Sequence, residues 1–112
     1  MYLVVNSSIT MSKGKTCSQV GHSVAGLTRH LEHNPTMEYI NWKNSGEPMI
    51  VVKAKQETLE FFVRTYSNKK KKGWCEPIYD AGHTQVEHGQ LTVVGFSPSV
   101  EAPNTLRDLQ LL

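Results

Sequence analysis

The chain has 112 residues and a mass of 12.6 kDa, room for one domain spanning residues 1–112 with its own core. Hydrophobic residues are 38% and charged residues 20%, a globular balance, and only two cysteines, Cys17 and Cys75, are present, which excludes a disulfide scaffold and a four-cysteine zinc site. The net charge of +2 says little alone; its distribution says more, because Lys69, Lys70, Lys71 and Lys72 are consecutive and Lys13 and Lys15 share one loop.

Leu3-Val4-Val5 is an apolar, β-branched run that reads as a buried strand, and Asn6-Ser7-Ser8 opens a polar loop after it. From Thr16, a candidate cap, the period changes: Val20, Val24, Leu27 and Leu31 mark one face of a helix that Asn34-Pro35 ends. A shorter helix is predicted from Met37 to Ser45, burying Met37, Ile40 and Trp42, with Gly46 closing it in the left-handed conformation. Met49-Ile50-Val51-Val52 is a second strand. Gln56 to Lys70 is helical again through Leu59, Phe62, Val63 and Tyr66, and the lysine run at its end would complement the negative end of the helix dipole. Trp74 to Tyr79 is a third strand, placed at an edge by Pro77, and Leu91 to Phe96 is a fourth. The tail, broken by Pro98 and Pro103, has room for a short helix.

The expected fold is therefore α/β: a mixed four-stranded sheet in the order βααβαββ, helices on both faces and a short C-terminal helix. Strands joined by helical crossovers pair in parallel, and ligands gather at their carboxyl ends. Those ends feed the loops Asn6 to Lys15, the segment after Val52, and, if the third strand is parallel too, Asp80 onward. No stretch reaches the roughly 18 apolar residues of a membrane helix. Met1-Tyr2-Leu3-Val4-Val5 lacks the basic flank of a signal peptide, so a cytoplasmic protein without a membrane partner is expected.

Gly14-Lys15-Thr16 invites a nucleotide-binding reading, but a phosphate-binding loop needs glycine where Ile9 stands. What remains is an exposed lysine beside backbone donors at a helix start, a place that attracts phosphate or a developing oxyanion, or is simply solvated. His22, His30, His33, His83 and His88 form no recognised zinc pattern; His30 and His33 read as surface residues, and His22 as a partly buried one. Asp80-Ala81-Gly82-His83-Thr84-Gln85 joins an acid, a hydroxyl and an amide at a strand end, and is equally an Asx-type turn.

Gly14-Lys15 with Gln19 and His22, Trp42 with Gly46, Val51-Val52-Lys53, Asp80-Ala81-Gly82-His83-Thr84-Gln85, and Gly89 with Thr92-Val93-Val94-Gly95 occur in the order and spacing of one family. From about Leu3 to Pro98 the chain resembles the second family of peptidyl-tRNA hydrolases, the archaeal and eukaryotic type. The resemblance implies hydrolysis of the ester between a peptide and the terminal ribose of tRNA, with peptidyl-tRNA as partner, no metal, no cofactor, and a homodimer as a frequent assembly. It implies Lys15, Asp80 and Thr84 as the catalytic residues and Gln19, His22 and Gln85 as supporting ones. Lys13, Lys53, Lys55 and the run Lys69, Lys70, Lys71 and Lys72 are the expected phosphate-binding rim, against the plain alternative of a solvated helix end. Thr16, Cys17, Ser18 and Ser23 stand where the family favours small apolar residues, and Gly95-Phe96-Ser97-Pro98 where it often reads Gly-Ile-Gly-Pro. The rival reading is a catalytically weak homologue that binds RNA or a protein.

Overall fold

Leu3 and Val4, adjacent on the first strand, are both fully buried, yet they belong to different apolar clusters. Successive side chains of a strand point to opposite faces, so this strand is covered on both sides. The computed structural model describes residues 1–81 and 89–112. The chain runs through β1 (Tyr2–Asn6), α1 (Lys13–His33), α2 (Met37–Asn44), β2 (Ile50–Ala54), α3 (Gln56–Tyr66), β3 (Cys75–Tyr79), β4 (Leu91–Phe96), a short 3-10 helix (Asn104–Asp108) and β5 (Gln110–Leu111). The mixed sheet has the order β3-β4-β1-β2-β5. β1 pairs parallel with β2, while β4 is antiparallel to both β1 and β3. β1, β2 and β3 thus point the same way, and Asn6, Ala54 and Asp80 mark one end of the sheet, the end expected to gather ligands.

On one face Leu3 packs with Leu27 and Leu31 of α1, Tyr39 and Trp42 of α2, and Trp74. On the other, Val4, Val52, Val94 and Phe96 meet Leu59 and Phe62 of α3 and Leu106 of the 3-10 helix. Phe62 and Phe96 meet edge to face, centroids 5.2 Å apart at 89°. Burying each such side chain is worth about 1.5–3 kcal/mol. The side chains of α1 pack directly over Gly95, where an added Cβ would stand 2.1 Å from Ser23 Oγ and 2.8 Å from Leu27 Cδ1. A glycine in mid-strand serves this close approach.

The structure corrects several expectations. The sheet has five strands, because β5 pairs antiparallel with β2 and the Leu112 N–H donates to the Val51 carbonyl at 3.1 Å. Two residues carry no readable alternation; the open edge of β2 recruits them. α1 begins before Thr16: Ser12 is the cap, its Oγ accepting from the Lys15 N–H at 3.2 Å. α2 buries Tyr39 and Trp42, stacked 5.8 Å apart, and leaves Met37 65% and Ile40 40% exposed. A helix this short buries one narrow stripe, and the larger rings occupy it. α3 stops at Tyr66, so the lysine run lies beyond it in a turn rather than on its dipole. Like charges crowded into one helical turn repel, and outside the helix they reach separate acids. His30 is no plain surface residue, since its ring meets Trp74 at 4.9 Å, and His22 is exposed rather than partly buried. β3 is an edge strand, as Pro77 indicated, and Gly46 has φ +94°.

Gly95→Ala should lose about 1–3 kcal/mol of stability, since the new methyl must displace α1. Urea unfolding followed by circular dichroism measures it, and a wild-type midpoint would show that the helix shifts freely.

Candidate active site at the carboxyl end of the sheet

The first turn of α1 and the end of β3 meet through one ion pair. Ser12 caps the helix, which fixes Lys15 in the first turn, and the Lys15 ammonium donates to Asp80 Oδ1. The Asp80 side chain is 1% exposed and the Lys15 side chain 11%. The carboxylate is therefore the floor of the site, with the less deeply buried Lys15 side chain above it. The expectation of an exposed Lys15 is corrected here: the helix start turns its side chain inward onto Asp80. No acidic residue occupies the first turn of α1, so the positive end of the helix dipole adds to the lysine charge. Asp80 is also held by its backbone, its N–H donating to the Gln90 carbonyl at 2.9 Å and its carbonyl accepting from Gly89 at 2.8 Å.

A buried polar chain supports this pair. One helical turn beyond Lys15, Gln19 Nε2 donates to Thr92 Oγ1 at 2.8 Å, and Thr92 Oγ1 donates to the Ile78 carbonyl at 2.9 Å. Ile78 pairs with Val93 and Tyr79 with Leu91, so Thr92 is the extra residue of a β-bulge. Bulges re-aim side chains, and this one turns the Thr92 hydroxyl toward α1. Asn6, 1% exposed at the end of β1, donates through Nδ2 to the Leu91 carbonyl at 2.9 Å and to Gln56 Oε1, and its Oδ1 accepts from the Ser8 N–H at 2.9 Å. Sequence reasoning missed both: threonine is an ordinary strand former, and Asn6 read as the start of a loop. The available signal was a polar residue closing an apolar strand at the ligand-binding end.

Lys15 and Asp80 are thus brought together, while Gln19, one turn on, is bonded to Thr92. His22 shares the helical stripe of Lys15 but is exposed about 10 Å farther along the axis. Thr84 and Gln85, like His83 and His88, lie outside the described residues. Lys13 opens α1, Lys53 lies near the end of β2 and Lys55 precedes α3, so these three sit at the same end as Asp80. Lys69, Lys70, Lys71 and Lys72 precede β3 and lie at its opposite end, away from Asp80. Lys69 pairs with Glu76 at 3.1 Å and lies over Trp74, and Lys72 approaches Glu38 at 3.7 Å.

Among the described residues no three His, Cys, Asp or Glu side chains gather as a metal site, and no helix is long and apolar enough to cross a membrane. Cys75 is buried and donates to the Phe62 carbonyl at 3.3 Å; burial pushes its thiol up to about 12, which keeps it protonated and unreactive.

The model of the family described as peptidyl-tRNA hydrolase PTH2 matches residues 1–112. A peptidyl-tRNA hydrolase of Methanococcus maripaludis (strain C7) is 34% identical over 115 aligned positions, covering 98% of this chain and 96% of the relative. One of Sulfolobus acidocaldarius is 32% identical, covering 100% and 98%. The human protein named peptidyl-tRNA hydrolase 2, mitochondrial, is 35% identical, covering 88% of this chain and 54% of the longer relative.

Lys15→Ala should cost about 3–5 kcal/mol, because it removes the cation that faces a buried carboxylate. Lys15→Met combined with Asp80→Asn should cost less than the single change, since the buried negative charge goes together with its cation. Urea unfolding of both variants decides; equal losses would mean that the pair is weakly coupled.

Proposed function

The chain belongs to the peptidyl-tRNA hydrolase PTH2 family, and from that premise we propose that it hydrolyses the ester joining a peptide to the terminal ribose of tRNA, with Lys15, Asp80 and Thr84 as the catalytic residues. The observation that carries this reading is the Lys15–Asp80 pair at the carboxyl end of the parallel strands. A water oxygen bonds to the ester carbonyl carbon and the carbon–ribose oxygen bond breaks. One water proton goes to the ribose oxygen and the other to solvent as the peptide carboxylate forms. Negative charge grows on the carbonyl oxygen during attack, and a fixed cation beside it lowers the barrier by several kcal/mol, about 3–4 for a single donor.

Lys15 is the member of the pair that meets substrate, since it is the more exposed. Asp80 holds the ammonium in place and orients the water from below. Gln19 positions the helix through Thr92, His22 flanks the helical approach, and Gln85 supports Thr84. Lys13, Lys53 and Lys55 meet phosphates near the ester, while the lysine run meets phosphates farther along the RNA.

Two finer readings accompany this one. The free thiols of Cys17 and Cys75 suit a reducing compartment such as the cytoplasm. A homodimer, which the family resemblance implies, has an apolar groove of about 540 Å³ available between α1 and β2, lined by Val20, Val24, Met49, Val51 and Leu112. Sedimentation of wild type beside Val24→Asp tests that assembly.

Wild type should convert peptidyl-tRNA to free tRNA, and Asp80→Asn should turn over about 100-fold more slowly while keeping its circular dichroism spectrum. Wild-type protein that binds the RNA without cleaving it would overturn the hydrolytic reading. Replacing Lys69, Lys70, Lys71 and Lys72 by Gln should raise the Michaelis constant, leave the maximal rate nearly unchanged and flatten the salt dependence by roughly 0.7–0.9 of log–log slope per lost contact. Both constants measured at two salt concentrations decide, and an unchanged slope would make the run a solvated turn.

A further inference from the structure

Asn6 closes β1 in the middle of the sheet, 1% exposed, and its side chain makes three hydrogen bonds. Asparagine is disfavoured in strands, and a buried amide is costly unless it is bonded. Asn6 shares its face of β1 with Val4, so it points to the α3 side, where Nδ2 donates to Gln56 Oε1. The second amide hydrogen goes to the Leu91 carbonyl at 2.9 Å, and Oδ1 accepts from the Ser8 N–H at 2.9 Å. With both hydrogens and one oxygen lone pair engaged, the amide has one orientation: turned over, it would set its oxygen against the Leu91 carbonyl.

Two of these bonds lead toward the ion pair. Leu91 begins β4, and the backbone pairing of β1 with β4 runs only from Leu3↔Gly95 to Val5↔Val93. The Asn6 amide carries the tie further, across the bulge at Thr92. Leu91 pairs with Tyr79, and the neighbouring Gln90 carbonyl accepts the Asp80 N–H at 2.9 Å. Holding Leu91 therefore holds the backbone that carries Asp80. On the other side, Ser8 leads into the loop that ends at Ser12, the cap that fixes Lys15. That loop is fastened at its root. The Ser7 N–H donates to the Ala54 carbonyl at 2.9 Å, and Ser8 Oγ accepts from the Gln56 N–H at 2.9 Å, capping α3 where Lys55 makes no side-chain bond. Asn6 thus joins, through one planar group, the strand beside Asp80 and the loop leading to Lys15.

We propose that Asn6 is a positioning residue for the hydrolysis, its amide setting the distance between the Lys15 ammonium and the Asp80 carboxylate. The proposal rests on the hydrolytic reading of that pair. Asn6 is buried too deeply to meet substrate and acts through the pair, where an error of about 1 Å lowers turnover about a hundredfold.

Asn6→Ala tests it beside Gln56→Ala, a milder change at a half-buried position that removes one partner of the amide and serves if Asn6→Ala fails to fold. Both should lower kcat, Asn6→Ala by about tenfold or more, with KM and RNA affinity within about twofold of wild type. A residue needed only for folding would lower the unfolding midpoint and leave the kcat of the folded protein unchanged. The second measurement is the coupling between Lys15 and Asp80. Urea unfolding of Lys15→Met, Asp80→Asn and the double variant reads it, in wild type and in each background. The coupling should shrink when Asn6 or Gln56 is cut back. Unchanged kcat or unchanged coupling in the folded variants would overturn the proposal. Wild type that shows the Asn6-dependent coupling but cleaves no peptidyl-tRNA would keep the positioning role and overturn the hydrolytic reading alone.

Discussion

One ion pair buried across 65 residues of chain organises this molecule. Lys15 can reach Asp80 only if α1 starts at Ser12, if β3 ends where it does, and if both lie on the same side of β4. Taking two charges out of water costs several kcal/mol per ion, which the attraction between them repays only with good geometry and further hydrogen bonds. The surrounding structure supplies that geometry. Gln19 and Thr92 tie α1 to β3 from within the sheet, and the Asp80 backbone is pinned to Gln90 and Gly89.

A well-packed apolar pair in the same place would serve stability as well or better. Keeping the charges is a concession of the kind made at working sites, where groups are held ready for a reaction rather than for the fold. The two side chains differ in exposure, Asp80 being the more deeply buried and Lys15 the less.

Much of this was legible in the sequence, for identifiable reasons. Apolar runs marked β1, β2 and β4, and Pro77 marked β3 as an edge, because periodicity and a missing N–H are local properties. The carboxyl-end position of Lys15 followed from the element order, and that of Asp80 followed once β3 was found to run the same way as β1. The burial of Lys15 did not, since it depends on a helix start shifted from Thr16 to Ser12 and on a partner far away in sequence. The role of Thr92, which entered only as part of a family motif, was hidden for a different reason: it comes from a bulge, and a bulge is a mismatch between two strands that neither shows by itself. β5 depends on the free edge of β2, again a property of the assembled sheet.

The sheet also separates two kinds of positive charge. Lys15 sits at the carboxyl end, paired inward, while Lys69 to Lys72 lie at the amino end of β3, with Lys69 and Lys72 close to Glu76 and Glu38. The five residues of β3, about 17 Å long, hold the two regions apart. A small ester could engage the first region but could never span to the second. A ligand that uses both must be long, and one that uses clustered lysines must carry repeated negative charge. Length and repeated charge are properties that a nucleic acid combines in one molecule, and that is the substrate class proposed for this chain.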